Sequence, residues 1–76
     1  MKWQYYKKSR SEIWRMQVGK NYAEIILNST GKGRHQVYIS GETDERVIRD
    51  GLFFDNKEVA RKYVNELKKR IEKRLL

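Results

Sequence analysis

The side chains best suited to chemistry in this chain are aromatics and cations set at strand spacing. Arg15, Gln17, Tyr22 and Tyr38 occupy the same phase of alternating stretches, so they share one face if those stretches pair as a sheet. Aromatic rings among guanidinium and amide groups suit stacking on bases and bonding to phosphates. Lys7, Lys8 and Arg10 precede these stretches, and Lys32 and Arg34 lie on a glycine-rich hairpin tip, so both groups extend the surface along a backbone. These residues form the candidate nucleic-acid-binding set, with DNA or RNA as the partner. A packing role competes with it: Tyr and Ile are good strand formers, and Tyr22 with Tyr38 can serve as a mere cross-strand pair.

Catalysis has little to work with. The acids gather in Glu42-Thr43-Asp44-Glu45, which reads as a solvated turn without the spacing or central glycine of a calcium loop. Thr30-Gly31-Lys32-Gly33 lacks the glycine spacing and the Ser/Thr after Lys of a phosphate-binding P-loop. There is no cysteine, and the single histidine, His35, cannot build a metal site alone. The expectation is a non-enzyme with no catalytic residue, no metal and no cofactor. No stretch approaches the ~20 apolar residues of a membrane span, and the first residues lack the apolar core of a signal peptide, so a cytoplasmic protein with no membrane partner is expected.

The chain has 76 residues and a net charge of +8, which bounds it to one domain spanning residues 1–76 with a small core. Its charge is patterned: residues 1–20 carry +5, residues 21–56 carry −2, and residues 57–76 carry +5. Such a surface attracts phosphate polymers, although a salt-laced soluble surface would read the same way.

Residues 1–10 form an aromatic and basic arm or first strand. Residues 12–54 make an antiparallel sheet punctuated by Gly19-Lys20-Asn21, by the tip at residues 28–34, and by the acidic turn. Residues 55–76 make a helix, with Asp55 as N-cap, Glu58 completing a capping box, and Phe54 with Val59 as a hydrophobic staple. Ala60, Tyr63, Val64, Leu67, Ile71 and Leu75 recur at helical spacing. Under that stripe the alternation puts Trp14, Met16, Val18, Ala23, Ile25, Leu27, Val37 and Ile39. The opposite face keeps Ile13, Arg15, Gln17, Tyr22, Glu24, Ile26, Gln36 and Tyr38. The fold class is therefore α+β: a meander sheet of three to five strands with one C-terminal helix across one face.

A helix of ~20 residues spans about 30 Å, and strands of five or six residues span ~17–20 Å. The helix should therefore overhang the sheet, with Ile71, Leu75 and Leu76 on the overhang. These three must pack on the aromatic N-terminus, fray, or form the interface of a homodimer. A protein-interaction or homo-oligomerisation module is accordingly the alternative function.

The stretch Gly51-Leu52-Phe53-Phe54-Asp55-Asn56-Lys57-Glu58-Val59-Ala60 resembles a pattern in the arm-site-binding N-terminal domains of phage-type tyrosine recombinases. There a glycine-aromatic, polar, Lys-Glu-Ala stretch opens a single helix after three strands that begin near a tryptophan such as Trp14. The resemblance covers residues 13–67. It implies a strand-strand-strand-helix DNA-binding domain whose sheet enters the major groove, with Arg15, Gln17, Tyr22 and Tyr38 at the matching positions.

Overall fold

A computed structural model describes residues 3–19, 21–30, 33–41 and 52–75. Strands β1 (Gln4–Lys8), β2 (Ser11–Val18), β3 (Asn21–Ser29), β4 (His35–Gly41) and β5 (Leu52–Phe54) precede one helix, α1 (Lys57–Leu75). The five strands form a single antiparallel sheet in the order β1-β2-β3-β4-β5. The expected α+β meander is thus present, and the aromatic N-terminal stretch is a true first strand. The acidic turn at residues 42–46, the start of the expected last strand at residues 47–51, Lys32 and Leu76 lie outside the described residues.

Alternation places the core where the pattern predicts. Met16, Ala23, Ile25, Leu27 and Val37 of the sheet meet Ala60, Val64, Leu67 and Ile71 of α1, and none of them is more than 1% exposed. Trp3, Trp14, Ile39, Phe54 and Tyr63 close the rim of this cluster. Removing one large member, for example Leu67→Ala, is worth roughly 2–5 kcal/mol, a large share of the stability of so small a domain.

Three expectations about the helix are corrected. Asn56, not Asp55, is the N-cap: its Oδ1 accepts from the Glu58 N–H at 2.8 Å and the Val59 N–H at 3.4 Å, while its carbonyl accepts from Ala60 N–H at 3.1 Å. Asn caps as well as Asp, and Phe54, two residues before the cap, packs on Tyr63 with ring centroids 5.4 Å apart. Val59 is left 48% exposed, so no staple with Phe54 forms. Nor does Ile71 sit on an overhang, since it is fully buried in the core. The central strands run eight and nine residues, about 26–30 Å at ~3.3 Å per residue, which matches the nineteen-residue helix. Ile71 is therefore spent within its own chain and is no oligomer interface. The Leu75 side chain lies outside the described residues.

The aromatic N-terminus supplies the packing at this end. Trp3 Nε1 donates to Glu72 Oε1 at 2.6 Å. Lys68 Nζ lies 5.3 Å from the Trp14 ring centre and 6.0 Å from that of Trp3. Burial lowers the Lys68 pKa, and the nearby Glu72 works in the opposite direction.

Gly19 stands in the turn between the paired residues Val18 and Asn21, with φ at +60°. A side chain there would meet nothing within 4 Å, so only the backbone conformation resists substitution. Gly19→Ala should therefore destabilise the fold by about 1 kcal/mol, whereas Gly19→Asn should lose less, as read by urea unfolding. Equal losses would show that the turn does not require the left-handed conformation.

Candidate nucleic-acid interface

The single helix covers one side of the sheet, and the strand register orders the other side into rows. Tyr6, Ile13, Ile26 and Tyr38 stand opposite one another in sequence across β1 to β4. Gln4, Arg15, Glu24 and Ser40 form the next row, and Gln17 with Tyr22 the row beyond it. On the other flank lie Lys8, Ser11, Asn28, Gln36 and Phe53. All four face residues expected from the sequence, Arg15, Gln17, Tyr22 and Tyr38, thus share this side.

Arg15 is already placed for stacking. Its guanidinium carbon lies 5.1 Å from the centre of the Tyr22 ring, and Glu24 is its cross-strand neighbour. A guanidinium set over an aromatic ring still has N–H groups to offer a phosphate or a base. Tyr6 donates its hydroxyl to Gln4 Oε1 at 2.8 Å and is 46% exposed.

The meander also sorts the loops. The β1–β2 turn, the β3–β4 tip and the start of α1 all fall at one end of the sheet, because the strands alternate in direction. Lys7, Lys8, Arg10, Arg34 and Lys57 are therefore gathered there from distant parts of the chain. The Ser29 N–H donates to the Arg10 carbonyl at 2.8 Å and ties the first turn to β3. The Thr30 N–H donates to the Arg34 carbonyl at 2.8 Å and closes the base of the tip, while Arg34 lies 5.9 Å from the Phe53 ring centre. His35 pairs with Ser29 across the strands, Nδ1 to Oγ at 2.8 Å.

Glu12 is the charged residue that the sequence reading missed. It is 5% exposed and lies on the helix side of β2. Its carboxylate accepts from the Tyr5 hydroxyl at 2.8 Å and from Arg61 Nη2 at 3.1 and 3.2 Å, with Lys57 Nζ 3.5 Å away. Burial alone would raise its pKa. The hydrogen bonds from Tyr5 and Arg61, with the charges of Arg61 and Lys57, outweigh burial and hold it below the ordinary glutamate range. The reciprocal bond raises the Tyr5 hydroxyl. A signal was present: Glu12 shares the phase of Trp14 and Met16, and Lys57 and Arg61 stand four apart on α1.

This pairing makes stability depend on acid in a definite direction. A carboxyl whose folded pKa is depressed contributes stability above its unfolded pKa and loses it as pH falls through the folded value. Glu12→Gln should cost about 2 kcal/mol at neutral pH, since breaking one partner of a buried pair costs more but Lys57 and Arg61 are partly solvated. It should also flatten the fall in stability below the ordinary glutamate range, as followed by urea unfolding at a series of pH values. An unchanged acid limb would show that Glu12 does not carry it.

Among the described residues no helix is long and apolar enough to cross a membrane. Comparison with protein-family models, curated proteins and solved structures finds no match to this chain.

Proposed function

We propose that this protein binds nucleic acid, resting a strand on the open sheet face and holding phosphates with the cations at the end of the sheet. The observation that carries the reading is the junction of two surfaces. Arg15 stacked on Tyr22 and the row containing Tyr6 and Tyr38 lie on one face. Lys8 continues that face into the end where Arg10, Arg34 and Lys57 gather. Rings for bases beside cations for phosphates form the pairing that nucleic-acid surfaces use. If the sheet enters a major groove, as in the arm-site domains that the chain resembles, Arg15, Gln17, Tyr22 and Tyr38 reach the base edges.

The outer face of α1 is the weaker candidate despite its charge. Lys62, Lys69, Arg70 and Lys73 are exposed there with Asn65 and Glu66 and without an aromatic ring, a pattern of ordinary solvation.

A second reading rests on the row Tyr6–Ile13–Ile26–Tyr38, whose two central isoleucines suit a protein surface as well as a base. In that case the open face docks another polypeptide, including a second copy of this chain, and the charge serves solubility.

Two measurements test the proposal. Affinity for an oligonucleotide should fall steeply with salt, with a log–log slope of about −4 to −5 on duplex DNA if about five phosphates are neutralised. Arg15→Ala should make the slope shallower by about one unit. Undetectable affinity for both DNA and RNA at low salt would end this reading. Tyr22→Ala with Tyr38→Ala separates the two alternatives: lost oligonucleotide binding at unchanged mass supports the first, and a change in oligomeric mass supports the second.

A further inference from the structure

A cleft of about 170 Å³ opens at the basic end, between the β1–β2 turn and the first turn of α1. Four cations line it: Lys7, Lys8, Arg10 and Lys57. They come from two distant stretches of the chain, residues 7–10 and the start of α1, and converge only through the fold. One acid, Glu12, also reaches the cleft, but Arg61 holds both of its oxygens and Tyr5 bonds one of them. Its charge is therefore largely answered from within, and the cations lining the cleft leave a strong positive excess.

The donors available to a guest can be identified. The Ser11 hydroxyl already donates to Asn28 Oδ1 at 3.1 Å, and Ser29 Oγ is engaged with His35. Lys57 directs itself toward Glu12 at 3.5 Å, and an ammonium has three N–H donors, so two remain. With them stand Lys7, Lys8, the Arg10 guanidinium and the exposed hydroxyl of Ser9. A set of cationic donors around a small opening suits an anion with several acceptor oxygens. Size narrows the guest further. The volume is well below the ~300 Å³ at which pockets for drug-sized molecules begin, so the cleft suits a compact anionic group.

We propose that this cleft seats one phosphate group. The proposal rests on the nucleic-acid reading for its biological source, which is either a terminal phosphate of the strand or one phosphodiester along it. Lys8 and Ser11 belong to both the cleft and the flanking row of the open face, so a seated phosphate fixes the register of a strand running onto the sheet. The rest of the face then needs no base-specific contact to orient the polymer.

Inorganic phosphate titrated into ¹⁵N-labelled protein tests the seat directly. Saturable shifts are expected at the amides of residues 7–12, 29 and 57–58. Arg10→Ala and Ser9→Glu should each raise the half-saturating concentration about tenfold, through loss of a charge-assisted bond in one case and an added like charge in the other. Both positions are exposed turn residues, and unchanged shifts in the core amides would verify that the variants fold. Absence of saturable shifts, or saturation indifferent to both variants, would overturn the proposal.

A second arm compares oligonucleotides with and without a terminal phosphate. Tighter binding of the phosphorylated end identifies the monoester as the guest. Equal affinities, both weakened by Arg10→Ala, identify a backbone phosphate. Phosphate seating without any oligonucleotide binding would keep the seat and remove the nucleic-acid reading. Oligonucleotide binding unaffected by both variants would do the reverse.

Discussion

Everything in this fold follows from one helix having to shield a five-stranded sheet. The apolar stripe of α1 matches the length of β2 and β3, and its four fully buried or nearly buried residues, Ala60, Val64, Leu67 and Ile71, complete the only core among the described residues. A helix of this width can dry one sheet face and no more. The other face carries Tyr6, Arg15, Tyr22 and Tyr38 in register because the core has claimed the alternate positions. Strand direction then sends the β1–β2 turn, the β3–β4 tip and the start of α1 to one end. The surface offered to a partner is a by-product of the packing solution.

The seam between helix and sheet is not wholly apolar, and its charged groups change how the basic helix should be understood. Arg61 and Lys57 bracket the buried Glu12 carboxylate. Lys68 lies against Trp3 and Trp14, with Glu72 bonded to the Trp3 indole. Three of the conspicuous helix cations therefore fasten the helix to β2 and to the N-terminal strand region at its two ends. A cation that anchors the fold is poorly placed to be the main contact of a long anionic polymer. Lys57 is the exception, since it also lines the cleft.

Much of this is legible in the residue types alone. Alternation in residues 13–27 and the helical stripe from Ala60 to Ile71 specify which side of each element is dry, because burial of one face leaves a period of two or of 3.6 in the residue types. Arg15, Gln17, Tyr22 and Tyr38 were recoverable by the same logic. What escaped depended on distances along the strands and on partners distant in sequence. Strand length was underestimated, which created a false overhang at Ile71. Glu12 is one of ten acids in the chain, and by residue type a buried carboxylate is the same as a solvated one until the groups that meet it are known. Asn56 and Asp55 are nearly equivalent caps by residue type, and only the hydrogen bonds of the folded chain distinguish them.

On the proposed function, the open sheet face and the basic end, rather than the outer face of α1, receive the polymer. Amide hydrogen exchange with and without a bound oligonucleotide tests it most directly. New protection is expected at residues 8–10 and around Arg15, Tyr22 and Tyr38, with little change near Lys62, Lys69 and Lys73. Protection confined to the latter three and their neighbours on α1 would contradict the account.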